Sequence, residues 1–279
     1  MSRLLDKYGS WAVITGANSG IGQEFAKLLA KEGFNLVLVA RRQPLLDELA
    51  NTLKAEANIE VRPVALDLLE PYAVQTLAKG VADLDVGLVI PCAGVDEMGR
   101  FVEKDYASID KMLDLNVKSP TELTHVFAKK MEGRKHSGII LVSSLFAYQG
   151  IPNFAAYAAS KSYILILGES LNVELKSKGI DLTVLSPGLT DTPFSQNMAI
   201  DFSQLPMIAQ KPADVARCGL NSLGKRSSNV SGLLNKFYAW ENRLLPRWAP
   251  VKLFGFLIDR AIAVYGRRAA KSGAAAKAN

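Results

Sequence analysis

The most restrictive feature of this chain is a junction. The short apolar run Trp11–Thr15 passes directly into Gly16, Ala17, Asn18, Ser19, Gly20, Ile21 and Gly22, after which a helical periodicity begins. A brief β-branched run bounded by glycine reads as a buried strand. Glycines between a strand and a helix let the backbone turn sharply and let another group approach closely. The helix start then offers unpaired N–H donors and the positive end of a dipole, a setting that suits a phosphate. The alternative is a plain helix-capping turn. The Gly-x-x-x-Gly-x-Gly spacing is wider than the standard dinucleotide fingerprint, yet its place directly after the first strand favours phosphate binding.

The same alternation recurs along the chain. Strand-like runs fall at Trp11–Thr15, Leu36–Ala40, Val61–Leu66, Gly87–Ile90, Ile139–Ser143 and Leu182–Leu185. Helical stretches lie at Ile21–Glu32, Pro44–Ala57, Tyr72–Lys79, Tyr106–Met131 and Ala155–Lys178. This order predicts an α/β fold, a doubly wound parallel sheet of the Rossmann type with helices on both faces. Gly33, Gly80, Gly133 and Gly179 stand just past four helices, where left-handed caps are expected. One core can absorb 279 residues, and no repeat or composition break marks a second domain. The expected division is a catalytic body at 1–236 with a helical extension at 237–279 that is not an independent domain. The Ala/Lys-rich end after Lys271 reads as disordered or as a fraying helix.

Charge is unevenly spread. The net charge is +6, yet Arg243–Asn279 holds eight basic residues against Asp259 alone, so that segment carries +7 and residues 1–242 carry −1. A near-neutral body argues against nucleic acid as a partner. Two cysteines, Cys92 and Cys218, and two histidines, His125 and His136, have no ligand-like spacing, so no metal site is expected. Few cysteines, and no apolar core of signal-peptide length before Trp11, fit a cytoplasmic setting.

A second cluster is Tyr157, Ala158, Ala159, Ser160 and Lys161. On a helix, residues four apart share a face, so the phenol and the ammonium can serve one cavity. A free phenol has a pKa of about 10, and a nearby cation is expected to lower it into the range of a working acid/base. Taken alone, Tyr-x-x-x-Lys is more often an exposed helix face.

Together the glycine turn, Asn116, Ser144 thirteen positions before Tyr157, Lys161, and Pro187 with Gly188 resemble the classical short-chain dehydrogenase/reductase family, from about Ser10 to Asn235. The resemblance implies hydride transfer between a nicotinamide cofactor and a carbonyl or alcohol. Tyr157 would be the acid/base, Ser144 would bond the substrate oxygen, Lys161 would hold the nicotinamide ribose, and Asn116 would keep a proton relay. It also implies cofactor contacts at Gly16, Asn18, Ser19, Gly20, Ile21, Gly22, Asp67, Leu68, Ala93, Gly94, Pro187, Gly188, Thr190 and Thr192, and a homo-oligomer, dimer or tetramer. One departure stands out. The family usually has Asn-Asn-Ala-Gly where this chain reads Pro91, Cys92, Ala93, Gly94, and Cys92 reads as a core residue without nucleophilic character.

Arg41 and Arg42 follow the second strand where members preferring NAD carry an acid. Guanidinium groups there would pair with a 2′-phosphate, so NADP(H) is the expected cofactor, ahead of NAD(H). The loop Pro193–Gln210 carries Phe194, Met198, Phe202, Leu205, Met207 and Ile208, and Phe146, Tyr148 and Phe154 flank Ser144. A lipophilic ketone, aldehyde or oxoacyl compound is the expected substrate. The loop could equally pack as a lid or a subunit contact. The basic, apolar segment 243–268 has two readings, a helix lying on an anionic membrane surface or cover for the cleft or a neighbouring subunit, and the second is favoured because Trp248, Phe254, Phe256 and Tyr265 are a large aromatic load to leave open. The competing function is a dinucleotide-sensing or scaffold protein without turnover, which would have no use for Ser144, Tyr157 and Lys161 together.

Overall fold

The computed structural model describes residues 3–241 and 244–276. In chain order its elements are α1 (Arg3–Tyr8), β1 (Trp11–Thr15), α2 (Gly20–Lys31), β2 (Asn35–Ala40), α3 (Gln43–Glu56), β3 (Val61–Ala65), α4 (Ala73–Gly80), β4 (Val86–Ile90), α5 (Tyr106–Leu113), α6 (Ser119–Met131), β5 (Ser137–Val142), α7 (Ala155–Glu174), β6 (Ile180–Ser186), α8 (Pro193–Gln196), α9 (Pro212–Ser222), β7 (Ser228–Val230), α10 (Leu233–Glu241) and α11 (Trp248–Ala276). The strands form one parallel sheet in the order β3-β2-β1-β4-β5-β6-β7.

Side chains alternate across a strand, and here both faces are covered. Ala12 and Ile14 of β1, with Leu36 and Leu38 of β2, join Phe25 and Leu29 of α2 and Leu46 and Leu49 of α3 in one core layer. Val13, Val37 and Val39 face the other way, onto Leu77 of α4, Phe127 of α6 and Ile164 of α7. Each fully buried aliphatic side chain of this kind contributes about 1.5–3 kcal/mol relative to exposure. Both layers are filled by β-branched and aliphatic residues, which is why the strands read as continuous apolar runs.

The strand order reverses between β1 and β4, so the chain leaves these neighbours in opposite directions and a crevice opens at their carboxyl ends. The glycine turn, the Cys92–Gly94 loop and the end of β5 all meet there.

The structure departs from the sequence reading in several places. The expected helix Tyr106–Met131 is divided into α5 and α6 by a π-helical turn, Asp114–Lys118. Gly33, Gly133 and Gly179 have positive φ, but Gly80 does not, because it is the last residue of α4 and Val81 follows as the cap. The strand β7 and the helix α9 were not anticipated: β7 is three residues long with Ser228 and Asn229 in it, too short for a periodic signal. The division after Lys236 falls inside α10, whose buried Asn235 packs against Gly188.

Candidate active site

At one end of the crevice lies the glycine turn. Gly16 has φ +67°, and a Cβ there would meet the Ala93 backbone at 2.9 Å. A Cβ on Gly22 would run into the Gly16 carbonyl oxygen, so the turn closes tightly only with glycine at both positions. Ser19 caps α2 in extended backbone without a side-chain hydrogen bond, leaving first-turn N–H groups of the helix unclaimed by a cap. The Thr15 hydroxyl accepts from the N–H groups of both Cys92 and Ala93 at 3.1 Å, which ties β1 to the loop after β4. Arg42, exposed at the start of α3, bonds the Asn18 amide oxygen through Nε and Nη2 at 3.0 and 3.1 Å when that amide is turned to face it. Asp67 accepts from the Leu69 N–H at 3.1 Å, and Asp67 and Leu68 form the wall beside Arg41 and Arg42. No acid stands after β2: Asp47 lies a turn into α3 and accepts from Gln43 at 2.7 Å.

At the other end, β5 positions α7. The Ser143 hydroxyl donates to the Lys161 carbonyl at 2.7 Å, and the Lys161 ammonium donates to the Val142 carbonyl at 3.2 Å. Lys161 is buried, with Nζ 5.8 Å from the Tyr157 ring centroid. Ser144 caps the 3₁₀ turn Leu145–Tyr148, accepting from the Phe146 N–H at 3.2 Å, and its hydroxyl faces the Tyr157 phenol. The rings of Phe146, Phe154 and Phe194 surround Tyr157 at centroid distances of 6.3–6.4 Å for its own pairs. Leu145 donates its N–H to the Pro187 carbonyl at 2.7 Å, and Thr192 opens α8 with a capping box to Ser195.

The crevice wall thus brings together Gly16, Asn18, Ser19, Gly20, Ile21, Gly22, Arg41, Arg42, Asp67, Leu68, Ala93, Gly94, Ser144, Tyr157, Lys161, Pro187, Gly188, Thr190 and Thr192. Asn116 is not on that wall. It sits behind Val95 on the π-helical turn, accepting the Val95 N–H at 2.9 Å and donating to the Val95 carbonyl at 2.7 Å. A π turn pushes one residue out of helical register, and here that residue clamps the loop after β4.

Two electrostatic findings bear on the chemistry. Burial pulls the Lys161 ammonium down to about 8, with Cys92 opposing. Burial among the rings pushes Tyr157 up to about 12, opposed by the Ser144 hydrogen bond and reinforced by Asp96. This corrects the expectation that a neighbouring cation would lower the phenol: Lys161 is itself stripped of water and held at Val142, so desolvation outweighs it. Cys92 is also pushed up by burial, to about 12, which agrees with a core role. Asp96, beside the phenol, was missed from sequence because a lone acid after an Ala-Gly pair carries no pattern.

Beyond Tyr157 the wall turns apolar. Phe194, Met198, Phe202 and Met207 line it. Met198, Phe202 and Met207 belong to a cluster that also holds Ile200, Leu205, Tyr157 and, from α11, Phe254, Ile258 and Ala261. Asn153, at φ +64°, fastens this region: its carbonyl accepts from Gly99 at 2.8 Å and its amide donates to Asp259 of α11 at 2.8 Å. Arg268 of α11 pairs with Asp201 of the loop. One face of the extension therefore covers the apolar end of the crevice, while Trp248, Phe256 and Tyr265, expected to be covered, stay exposed.

The short chain dehydrogenase family model matches residues 10–201. A 7beta-hydroxysteroid dehydrogenase from Clostridium sardiniense is 32% identical over 255 residues, covering 91% of this chain and 97% of that one. Among solved structures, a 7beta-hydroxysteroid dehydrogenase aligns with a TM-score of 0.83 at 27% identity, over 91% of this chain and all of the other. A short-chain dehydrogenase from Sphingobium yanoikuyae in complex with NADPH aligns with a TM-score of 0.74 at 27% identity, over 84% and 93%. The chain belongs to the short-chain dehydrogenase family, and is an oxidoreductase of the hydride-transfer class.

Proposed function

We propose that this protein is an NADP(H)-dependent carbonyl reductase or alcohol dehydrogenase acting on a lipophilic substrate, with Tyr157 as acid/base. The convergence of Tyr157, Ser144 and Lys161 at the seam between a glycine-rich crevice and an apolar pocket carries the reading. The residues present fit a dinucleotide. Glycines stand where a Cβ would fill the cradle: at Gly94 a Cβ would reach within 3.0 Å of Asn116 Oδ1 and 3.5 Å of Lys161 Nζ. The uncapped start of α2 suits a pyrophosphate. Asp67 with Leu68, and Pro187 to Thr192, would border the adenine and nicotinamide ends.

When bound, the nicotinamide supplies or accepts the hydride. The side chains do the rest. Tyr157, held neutral by burial, carries the proton that the substrate oxygen needs as negative charge develops on it. Ser144 donates to the same oxygen, a dipole already oriented by the 3₁₀ turn. The Lys161 ammonium would hold the ribose hydroxyls and steady a transient phenolate. Asn116 acts as a positioning residue by fixing Val95. The ring box and α11 exclude water around the phenol.

The related 7beta-hydroxysteroid dehydrogenase supports a bulky apolar ketone or alcohol as substrate, in keeping with the pocket's phenylalanines and methionines. Following NADPH absorbance against steroid ketones, aromatic ketones and oxoacyl esters tests the reading. Turnover with none of them, alongside intact NADPH binding, would favour the sensing alternative. A homo-oligomer is part of the proposal, since Tyr163, Ile166 and Val173 on α7 stay exposed.

Cofactor choice rests on Arg41 and Arg42. Changing both to aspartate places carboxylates against a 2′-phosphate and removes charge-assisted bonds worth about 1.5–3 kcal/mol each. NADPH affinity is expected to fall at least about tenfold while NADH affinity holds or improves. Equal use of both cofactors by the parent protein would defeat the assignment.

A further inference from the structure

The outward faces of α10 and α11 are unusually apolar. On α10, Leu233, Phe237 and Trp240 recur at helical spacing along one side, and Leu233 is 85% exposed. On α11, Trp248, Lys252, Phe256 and Arg260 follow one another four residues apart, so they share one stripe. Trp248 and Phe256 are 63% and 65% exposed, while Phe254 and Ile258, on the opposite side, are buried in the pocket cluster. Lys252 lies over the Trp248 ring, 5.3 Å from its centroid, so cation and aromatic face solvent together. Arg267 is exposed further along the helix.

We propose that this stripe docks the protein on an anionic bilayer, with α10 and α11 lying in the plane of the headgroups. The pattern suits an interfacial helix: aromatic and leucine side chains enter the headgroup–acyl boundary while lysine and arginine reach the phosphates. A helix in this position lies on the bilayer without crossing it; among the described residues no helix is long and apolar enough to cross a membrane. A second copy of the chain is the poorer occupant. A two-fold contact would set one copy's segment, eight basic residues against Asp259 for a net +7, against the same charge on the other. The inner face of the same helix walls the apolar pocket, so docking would present the pocket to the phase in which a lipophilic substrate concentrates. Docking itself does not depend on the proposed reaction.

Co-sedimentation of the full chain with vesicles tests it. Vesicles of phosphatidylcholine with phosphatidylglycerol should carry the protein down at low salt, vesicles of phosphatidylcholine alone should leave it in solution, and rising salt should release it. A Phe237→Ser, Trp240→Ser, Trp248→Ser, Phe256→Ser variant should lose sedimentation yet keep its melting temperature. Lys252→Glu with Arg260→Glu should weaken binding by about fivefold or more per residue changed. Absence of binding to anionic vesicles overturns the proposal. So does a parent protein whose sedimentation mass falls by half in the serine variant, since the stripe would then be a subunit contact.

Discussion

Replacing Tyr157 with phenylalanine is expected to lower turnover at least about a hundredfold, the scale of a lost general acid/base. The substitution is a narrow one. The ring keeps its place against Phe146, Phe154 and Phe194, so the apolar cluster loses no volume. What goes is one hydroxyl and its interaction with Ser144. Because burial disfavours the phenolate, removing the hydroxyl should cost little stability, and NADPH affinity measured by fluorescence should stay within a few-fold. The proposal also fixes a pH profile. With Tyr157 pushed up to about 12, the neutral phenol that donates in carbonyl reduction is fully populated across neutrality, so reduction should not decline as pH passes from 6 to 8 on account of this group. Alcohol oxidation needs the phenolate and should climb with pH over the same interval. A phenylalanine variant within a few-fold of the parent would remove Tyr157 from the chemistry.

Much of this architecture was legible in the chain. Six strands were visible because a sheet buried on both faces demands unbroken apolar runs, and Val13 to Ile14 or Leu36 to Val39 have no polar residue to blur them. The seventh strand was invisible for the opposite reason. Ser228 and Asn229 pair with β6 at the sheet edge and need no apolar signature. The helix α9 did carry one, with Pro212 at its first position and Val215, Ala216 and Leu220 on one side, but it follows directly on the apolar loop Pro193–Gln210, which blurs where its periodicity begins.

The site divides in the same manner. Tyr157 and Lys161 could be placed in one cavity from helical spacing, and Ser144 joined them through the family resemblance. The π turn could not, because a single extra residue in a helix leaves no mark on periodicity, and so Asn116 emerged behind the crevice wall and not on it. Nor could the direction of the Tyr157 shift be read, since it depends on how completely three rings and α11 exclude water. The tail shows how a choice posed in sequence can be false: covering the crevice and presenting an apolar basic surface belong to opposite sides of one helix.

Lys161→Met is expected to abolish most activity while making the protein more stable at neutral pH. Lys161 is 7% exposed and the structure gives its ammonium one backbone acceptor, the Val142 carbonyl at 3.2 Å, although three N–H groups seek partners. Burial holds its pKa near about 8 against 10.5 for the free side chain. Between those values the unfolded chain binds more protons than the folded one, so stability rises with pH through that window. The cost is fully present below about 8 and gone above 10.5. At about 1.4 kcal/mol per pKa unit it amounts to about 3 kcal/mol, an upper figure. Methionine fills a similar volume without charge but leaves the Val142 carbonyl unpaired, which returns about 1–2 kcal/mol. The net gain at pH 7 is therefore about 1–2 kcal/mol, or about 2–4 °C in Tm for a chain of this length. It should vanish or reverse by pH 10.5. Thermal melts of parent and variant at both pH values provide the check. A variant that melts lower at pH 7 would mean that the buried ammonium stabilises the fold. A variant that melts higher and turns over at least about a hundredfold slower would identify Lys161 as a residue kept for its chemistry against its effect on stability.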